Sequence, residues 1–172
     1  MKRLILLASV CAIAIMVAPV AAANAAEPTL TGACTIEGEA EFKEGLSKGL
    51  PAPNTYKFKG AVVCHSGAET LTGTATVEGS GELACAVAKG GVTLVGEGAG
   101  PGVLTVGGTE YKFLLSFAAA ASNVLLDITN PEGTAHATGN ASFATSGGAA
   151  VQECAKGEAK KLTFTAAAAG TI

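Results

Sequence analysis

Two histidines and one aspartate are the residues best suited to acid–base or nucleophilic chemistry: His65, His136 and Asp127. A histidine held by a carboxylate can activate a serine hydroxyl, so either histidine could belong to a catalytic triad. No Gly-x-Ser-x-Gly segment supplies the nucleophile. Because His65 lies at a predicted strand end and His136 in a Thr- and Ala-rich segment, exposed histidines without a catalytic role are the favoured interpretation.

Three glutamates, Glu37, Glu39 and Glu41, form a row on one predicted strand. Two carboxylates about 5–9.5 Å apart can hydrolyse glycosides, and residues two apart on a strand fall within that range. Such sites usually take their acids from different strands and bind the sugar on aromatic rings, whereas this chain has no Trp and only two Tyr. The ligand spacing of a calcium loop is also missing. A solvated strand face is therefore the favoured interpretation.

The segment 96–102, Gly-Glu-Gly-Ala-Gly-Pro-Gly, has the glycine content of a phosphate-binding loop. It lacks the following Lys-Ser/Thr pair and the helix start that cradle a phosphate. We therefore predict a hairpin turn at this segment. From the whole inventory we predict no catalytic, cofactor-binding or metal-binding residue.

Residues 1–25 show the three parts of a cleaved secretory signal peptide. Two basic residues precede an uncharged apolar stretch, Leu4 to Val20, and a run of small residues follows it. We expect cleavage after Ala25, or next after Ala26, which leaves residues 26–172 as a single β domain. A membrane anchor is the alternative, but the apolar run barely reaches the length of a bilayer span and no stop-transfer charges follow.

The expected mature chain is acidic and has no arginine. Its 147 residues include nine Lys, thirteen Glu and one Asp, which gives a net charge of −5. Nucleic-acid binding requires clustered cations, and anionic membrane surfaces attract basic segments. We therefore expect no nucleic-acid partner and, after cleavage of the signal, no integral membrane segment.

Four cysteines remain after cleavage: Cys34, Cys64, Cys85 and Cys154. An even number of cysteines in an exported chain predicts two disulfides, for which three connectivities are possible. A zinc site would need closer pairs, whereas the smallest spacing here is 21 residues, between Cys64 and Cys85.

Turn residues recur every eight to twelve residues or so, and the β-branched residues Thr and Val are abundant. This pattern predicts an all-β fold, an antiparallel β-sandwich or a partly closed β-barrel of about ten strands. The alanine run Ala118–Ala121 could form one helical turn. The predicted strands include 71–77, 83–87, 92–96, 103–106 and 150–154.

The first predicted hairpin has one register that satisfies its sulfur atoms, apolar residues and charges together. Residues 34–43 and 55–64 both alternate between apolar and polar positions. A slip of one residue would turn the apolar set outward, so the register is well specified. It predicts Cys34–Cys64 and, by elimination, Cys85–Cys154. The opposed pairs would be Cys34 and Cys64, Ile36 and Val62, Ala40 and Phe58, Phe42 and Tyr56, Glu39 and Lys59, and Glu41 and Lys57.

The combination of an early cysteine-bearing strand, a Phe-x-x-Gly-Leu segment (42–46) and Thr/Gly-rich strands with three further cysteines resembles the uncharacterised small secreted β-proteins of actinobacteria. The Ala, Gly, Thr and Val usage is similar to that of exported proteins of high-GC bacteria. The resemblance spans residues 30–170. It implies a secreted β-rich protein and carries over no functional residues.

Three functions remain open from the sequence. The first is a non-enzymatic binding or structural module, secreted or held in the cell envelope. The second is a carrier of a small apolar ligand, because inward residues such as Gly38, Ala40 and Gly60 would leave room inside a barrel. The third is an enzyme that uses His65 or His136.

Overall fold

The computed structural model describes residues 28–172 except 89–90, 121–122, 144 and 147, so the predicted signal peptide lies outside the described residues. The described residues form nine strands and one helix. Their bounds are β1 Thr31–Leu46, β2 Ala52–Ser66, β3 Glu69–Ala88, β4 Gly91–Val106, β5 Thr109–Ala120, β6 Asn123–Thr129, β7 His136–Phe143, β8 Thr145–Ser146, α1 Gly148–Lys156 and β9 Ala159–Thr171.

Eight of these strands form a closed antiparallel sheet. Each strand from β1 to β6 pairs with the next, and β9 pairs with both β7 and β1. The two-residue strand β8 adds to β4. Backbone hydrogen bonds between Leu30 and Ile172 join the two ends of the described chain. The prediction of an antiparallel all-β fold is confirmed, and the sheet closes on itself as a barrel.

The predicted hairpin register and both disulfides are confirmed. Cys34 lies opposite Cys64 with a Cα–Cα distance of 4.0 Å. The second disulfide joins Cys85 of β3 to Cys154, whose Cα atoms are 5.9 Å apart. The opposed pairs of β1 and β2 follow the register predicted from the sequence, from Ala33 opposite His65 to Phe42 opposite Tyr56.

The predicted turn at residues 96–102 is wrong, because this segment lies inside β4 and pairs with β3 on one side and β5 on the other. The predicted strands 71–77 and 83–87 are one strand, β3, and 92–96 and 103–106 are likewise one strand, β4. Pairing on both sides outweighs the local turn preference of Gly and Pro. The β3–β4 register skips the positions opposite Gly100 and Pro101, where proline has no N–H to donate.

The predicted strand 150–154 is also wrong, since this segment belongs to α1. The helix ends in a Schellman motif, in which the Glu158 N–H donates to the Glu153 carbonyl and the Gly157 N–H to the Cys154 carbonyl. Gly157 has a φ of +77°, which glycine adopts without strain. Conversely, Ala118–Ala120 continue strand β5 instead of forming a helical turn.

The core fills the inside of the barrel because side chains alternate between the two faces of every strand. Phe58 lies at its centre and contacts five other aromatic rings with centroid distances of 4.5–6.3 Å. These rings come from five different strands, so they connect opposite walls. They belong to Phe42, Tyr56, Phe117, Phe143 and Phe164.

Candidate binding groove

A groove with a volume of about 1020 Å³ lies on the outer surface of five neighbouring strands, β2 to β6. Two rows of outward-facing side chains cross these strands at directly paired positions, and Glu44 of β1 lies beside them. We call this surface the acidic groove. One row is Thr55, Ser80, Ala99, Ser116 and Asp127, and the other is Pro53, Glu82, Glu97, Ala118 and Leu125.

The wall of the barrel is concave here because glycines replace inward side chains between the two rows and directly beside them. A Cβ atom on Gly98 would lie 2.9 Å from the rings of both Tyr56 and Phe117. A Cβ on Gly79 would lie 2.5 Å from the Tyr56 hydroxyl oxygen. The backbone therefore packs directly against these rings. Because four of the outward side chains are only Ser or Ala, the outer surface is recessed at this point.

The groove carries four carboxylates, and none of the described residues that line it is Lys, Arg or His. Glu82 and Glu97 lie directly opposite each other on β3 and β4. Like charges directly opposite each other destabilise a sheet. Glu44 accepts a hydrogen bond of 2.8 Å from the Thr55 N–H. The groove is therefore a concentrated negative surface without an internal cation.

Two carboxylates elsewhere on the outer face, Glu41 and Glu78, are each paired with a lysine. Lys161 on β9 lies 2.7 Å from Glu41, and its hydrogen bond and charge lower the pKa of the Glu41 carboxyl. Lys57 pairs with Glu78 on β3. The register opposes Glu41 and Lys57 as predicted. Each of them, however, makes its short contact with its other neighbouring strand. Glu41 contacts Lys161 of β9, and Lys57 contacts Glu78 of β3.

A buried carboxamide also lines the groove. Asn54 is only 6% exposed, and its Nδ2 donates a 2.8 Å hydrogen bond to the Gly45 carbonyl. The Asn54 Oδ1 has no hydrogen-bond partner among the described residues. Asn54 shares the inward face of β2 with Tyr56, so this acceptor is a buried exception to the rule that buried polar atoms are hydrogen-bonded.

The structure places the two histidines on different strands of the barrel, separated in the ring by β1 and β9. His65, near the end of β2, has its Nδ1 3.1 Å from the Thr70 hydroxyl. His136, at the start of β7, pairs through Nε2 with Asp127 of the groove. The pair orients His136, but Asp127 stands between the histidine and Ser116, the residue paired with Asp127 on β5. In a catalytic triad the histidine lies between the serine and the carboxylate, so this arrangement is not a triad.

The four cysteines that were predicted to form disulfides all do so, and none of them therefore provides a thiolate. Among the described residues no group of three or more His, Cys, Asp or Glu side chains could hold a metal ion. No described helix is long and apolar enough to cross a membrane.

Two adjoining apolar cavities of about 50 and 60 Å³ lie inside the barrel. Both are lined by Ile36, Ala75, Phe113 and Ile128. Small inward residues such as Ala75 line both cavities, whereas Gly38, Ala40 and Gly60, which the sequence analysis named for this role, line neither. Drug-sized ligands occupy pockets of about 300–1,000 Å³, so these cavities accept only much smaller apolar molecules.

Replacing Tyr56 by phenylalanine should stabilise the protein. Tyr56 is 2% exposed and its hydroxyl has no hydrogen-bond partner among the described residues, so the variant removes an unsatisfied buried group worth about 1 kcal/mol. Burial raises the pKa of Tyr56 to about 12, above its ordinary value of 10. Because only the unfolded tyrosine ionises between these values, the stability of wild type is highest below pH 10 with respect to this group and falls as the pH rises towards 12.

Urea unfolding of Tyr56→Phe and wild type at pH 7 and pH 11 measures both effects. The variant should be the more stable protein at pH 7, and its advantage should grow at pH 11. Tyr111→Phe is the matched control, since Tyr111 is only partly buried. A loss of stability at pH 7 in Tyr56→Phe alone would show that the hydroxyl has a partner.

The groove was not predicted from the sequence, because it depends on residues from five strands and on the β3–β4 register. Its only sequence signal is the alternation of small and acidic residues with glycine at 80–82 and 97–99. Comparison with protein-family models, curated proteins and solved structures finds no match to this chain.

Proposed function

We propose that this protein is a non-enzymatic binding module of the bacterial cell surface or secreted medium, and that its partner binds in the acidic groove. The observation that carries the proposal is the uncompensated Glu82–Glu97 pair at the centre of a large concave surface. No ion pair to Glu82 or Glu97 is present among the described residues, whereas Glu41 and Glu78 outside the groove are paired with lysines. Groups retained at a cost in stability are typical of binding surfaces.

The two disulfides are consistent with an oxidising extracytoplasmic location. The signal-peptide pattern of residues 1–25 supports export by the general secretory route. The resemblance to actinobacterial secreted proteins supports a bacterial cell envelope or medium as the destination.

The exposure of both histidines favours binding over catalysis. His65 contacts only a threonine hydroxyl among its described hydrogen-bond partners, and His136 faces a carboxylate on its Nε2 side. Neither histidine is among the residues that line the groove. The groove, by contrast, offers a continuous surface with defined charge.

The internal cavities favour a second, lesser function as a carrier of a very small apolar molecule. A dry cavity of about 150 Å³ can hold benzene or xenon, and the two adjoining cavities approach that size together. A lipid would require the core to open. The groove therefore remains the better candidate for the principal partner.

Site-specific photocrosslinking in the native host tests the binding function. A benzoylphenylalanine replaces Ser116 in the groove in one variant and Thr165 in the other. Thr165 is an exposed residue of β9. Strand β9 lies four strands from β4 in both directions around the ring, so it is opposite the central strand of the groove. We expect one discrete adduct from position 116 and none from position 165.

A matched pattern of adducts from both positions would indicate random collisions and contradict the proposal. The absence of any adduct from position 116 in exported, oxidised protein would contradict it as well. The variant Ser116→Phe without the photoreactive group controls for the bulk of the side chain.

A further inference from the structure

We infer that the inside of the barrel binds a short, unbranched hydrocarbon chain that occupies both apolar cavities at once. This inference rests on the carrier function given above as the second candidate, and it names the class of molecule that is carried. It follows from the lining of the cavities, from their arrangement along the barrel and from their size.

The lining favours an apolar guest over water. The described residues that line the two cavities are Gly, Ala, Val, Leu, Ile and Phe, together with Cys34, whose sulfur is in a disulfide. A buried water needs about two to four polar partners, so a cavity lined in this way stays dry and takes up apolar molecules. Such a guest restores the dispersion contacts that the lining atoms lack across an empty space.

The two cavities lie one behind the other along the barrel. The outer cavity is lined by Leu30 and Ile172, beside the start of β1 and the end of β9, whereas the inner cavity is lined by Phe58 and the rings around it. A narrow junction between two cavities admits a chain of CH₂ groups more readily than a branched carbon. Four side chains from four different strands line both cavities and mark this junction: Ile36, Ala75, Phe113 and Ile128.

The volume of the cavities determines the length of the chain. A cavity of about 150 Å³ holds benzene, which corresponds to about 25 Å³ for each carbon atom. At that ratio the cavities, of about 50 and 60 Å³, hold about two carbons each and about four together. An unbranched chain of four carbons, n-butane, is therefore a suitable probe.

The end of the barrel next to the outer cavity is the entrance. Leu30 and Ile172 cover it as a strap, and their backbone groups exchange hydrogen bonds of 2.7 and 2.9 Å. At the opposite end, the disulfide Cys85–Cys154 ties α1 to β3. Because hydrogen bonds reopen and a disulfide does not, the strap is the end that opens for a guest.

Methyl NMR titrations with n-butane and its branched isomer isobutane test the inference. Both probes have four carbons, so a difference between them reports shape. Leu104 lines only the outer cavity and Val77 only the inner one. We expect n-butane to shift the methyl signals of both residues along one shared binding curve. It should bind at least about tenfold more tightly than isobutane, since one misplaced methyl group in an apolar pocket changes affinity by about that factor or more.

Two cavity-filling variants test whether one guest spans both cavities. Ala137→Val fills only the outer cavity and Ala141→Val only the inner one. Each variant should weaken n-butane binding at least about tenfold at both reporters, because a spanning guest needs both spaces. Ala61→Val is the matched control, since Ala61 is exposed on β2 and lines neither cavity, and it should change the affinity by less than about twofold.

Thermal unfolding of each variant shows that the fold is retained, because the added methyl groups enter empty space. Equal affinities for the two isomers would overturn the inference. So would a variant that removes binding at one reporter and leaves the other unchanged, since the two cavities would then hold separate guests.

The hydrocarbon can be a free molecule or the end of a longer chain, and n-octyl glucoside below its micelle concentration distinguishes the two. A chain end that enters under the strap shifts the methyl signals of Leu30 and Ile172 together with that of Val77. If n-butane binds and the octyl chain leaves Val77 unchanged, the guest is a free molecule. Either result agrees with an unbranched guest.

Failure of this inference is distinguishable from failure of the carrier function. If xenon or isobutane binds and n-butane does not, the barrel takes up compact apolar guests and the unbranched chain is the wrong class. If none of these probes binds, the carrier function fails as well. The crosslinking experiment at position 116 tests the groove independently of either result.

Discussion

Replacing Cys85 and Cys154 together by alanine should lower the free energy of unfolding by about 4 kcal/mol. The disulfide connects residues 69 positions apart, and closing a loop of that length restricts the unfolded chain by about this amount. The two half-cystines also hold one end of the barrel together. Cys85 donates its N–H to the Ser47 carbonyl, and the Cys154 carbonyl accepts from the Lys48 N–H.

Urea unfolding monitored by circular dichroism measures this loss. The matched control is Cys34→Ala/Cys64→Ala, whose disulfide closes a loop of 30 positions between strands that are already paired. We expect a somewhat smaller loss there, because the closure entropy grows with loop length. A loss below about 1 kcal/mol in the Cys85/Cys154 variant would show that α1 is held by other contacts.

Phe58→Ala should cost about 3–5 kcal/mol, the usual range for removing a buried phenylalanine. Phe58 is 6% exposed, and its ring contacts rings from strands on both sides of the barrel. Removing it leaves a cavity beside the one that already exists next to Phe58. Neighbouring rings cannot fill that space without abandoning contacts of their own.

The control for this variant is Val63→Ala on the same strand. Val63 faces outward and is 37% exposed, so its truncation should change stability by less than about 0.5 kcal/mol. Similar losses in the two variants would mean that the alternation of β2 does not separate the core from the surface. Urea midpoints and slopes, measured in parallel, decide the comparison.

The part of the fold that could be predicted is the part in which several signals agree. In the first hairpin, the period of two, the cysteine positions and the charge pairs all select one register, which the structure has. The second disulfide followed by elimination. No single signal would have sufficed, because cross-strand charge pairs contribute only tenths of a kcal/mol to about 1 kcal/mol.

The part that could not be predicted depends on tertiary pairing. Gly and Pro at 96–102 favour a turn locally, yet hydrogen bonds to β3 and β5 keep the segment extended. The helix α1, by contrast, could have been recognised, because alanine has the highest helix propensity and Gly157 follows the segment as a helix-ending glycine. Residues 97–99 of β4 lie at the centre of the acidic groove. Because residues 96–102 were predicted to form a turn, the groove could not be predicted either.

The central claim is that the concave outer face of β2–β6 is the surface that meets the partner. Crosslinking from position 116 of the exported protein, beside position 165 on the opposite wall, tests it most directly. A single adduct from position 116 and none from position 165 is the predicted result. Adducts of equal yield from both positions, or adducts from position 165 alone, would contradict it.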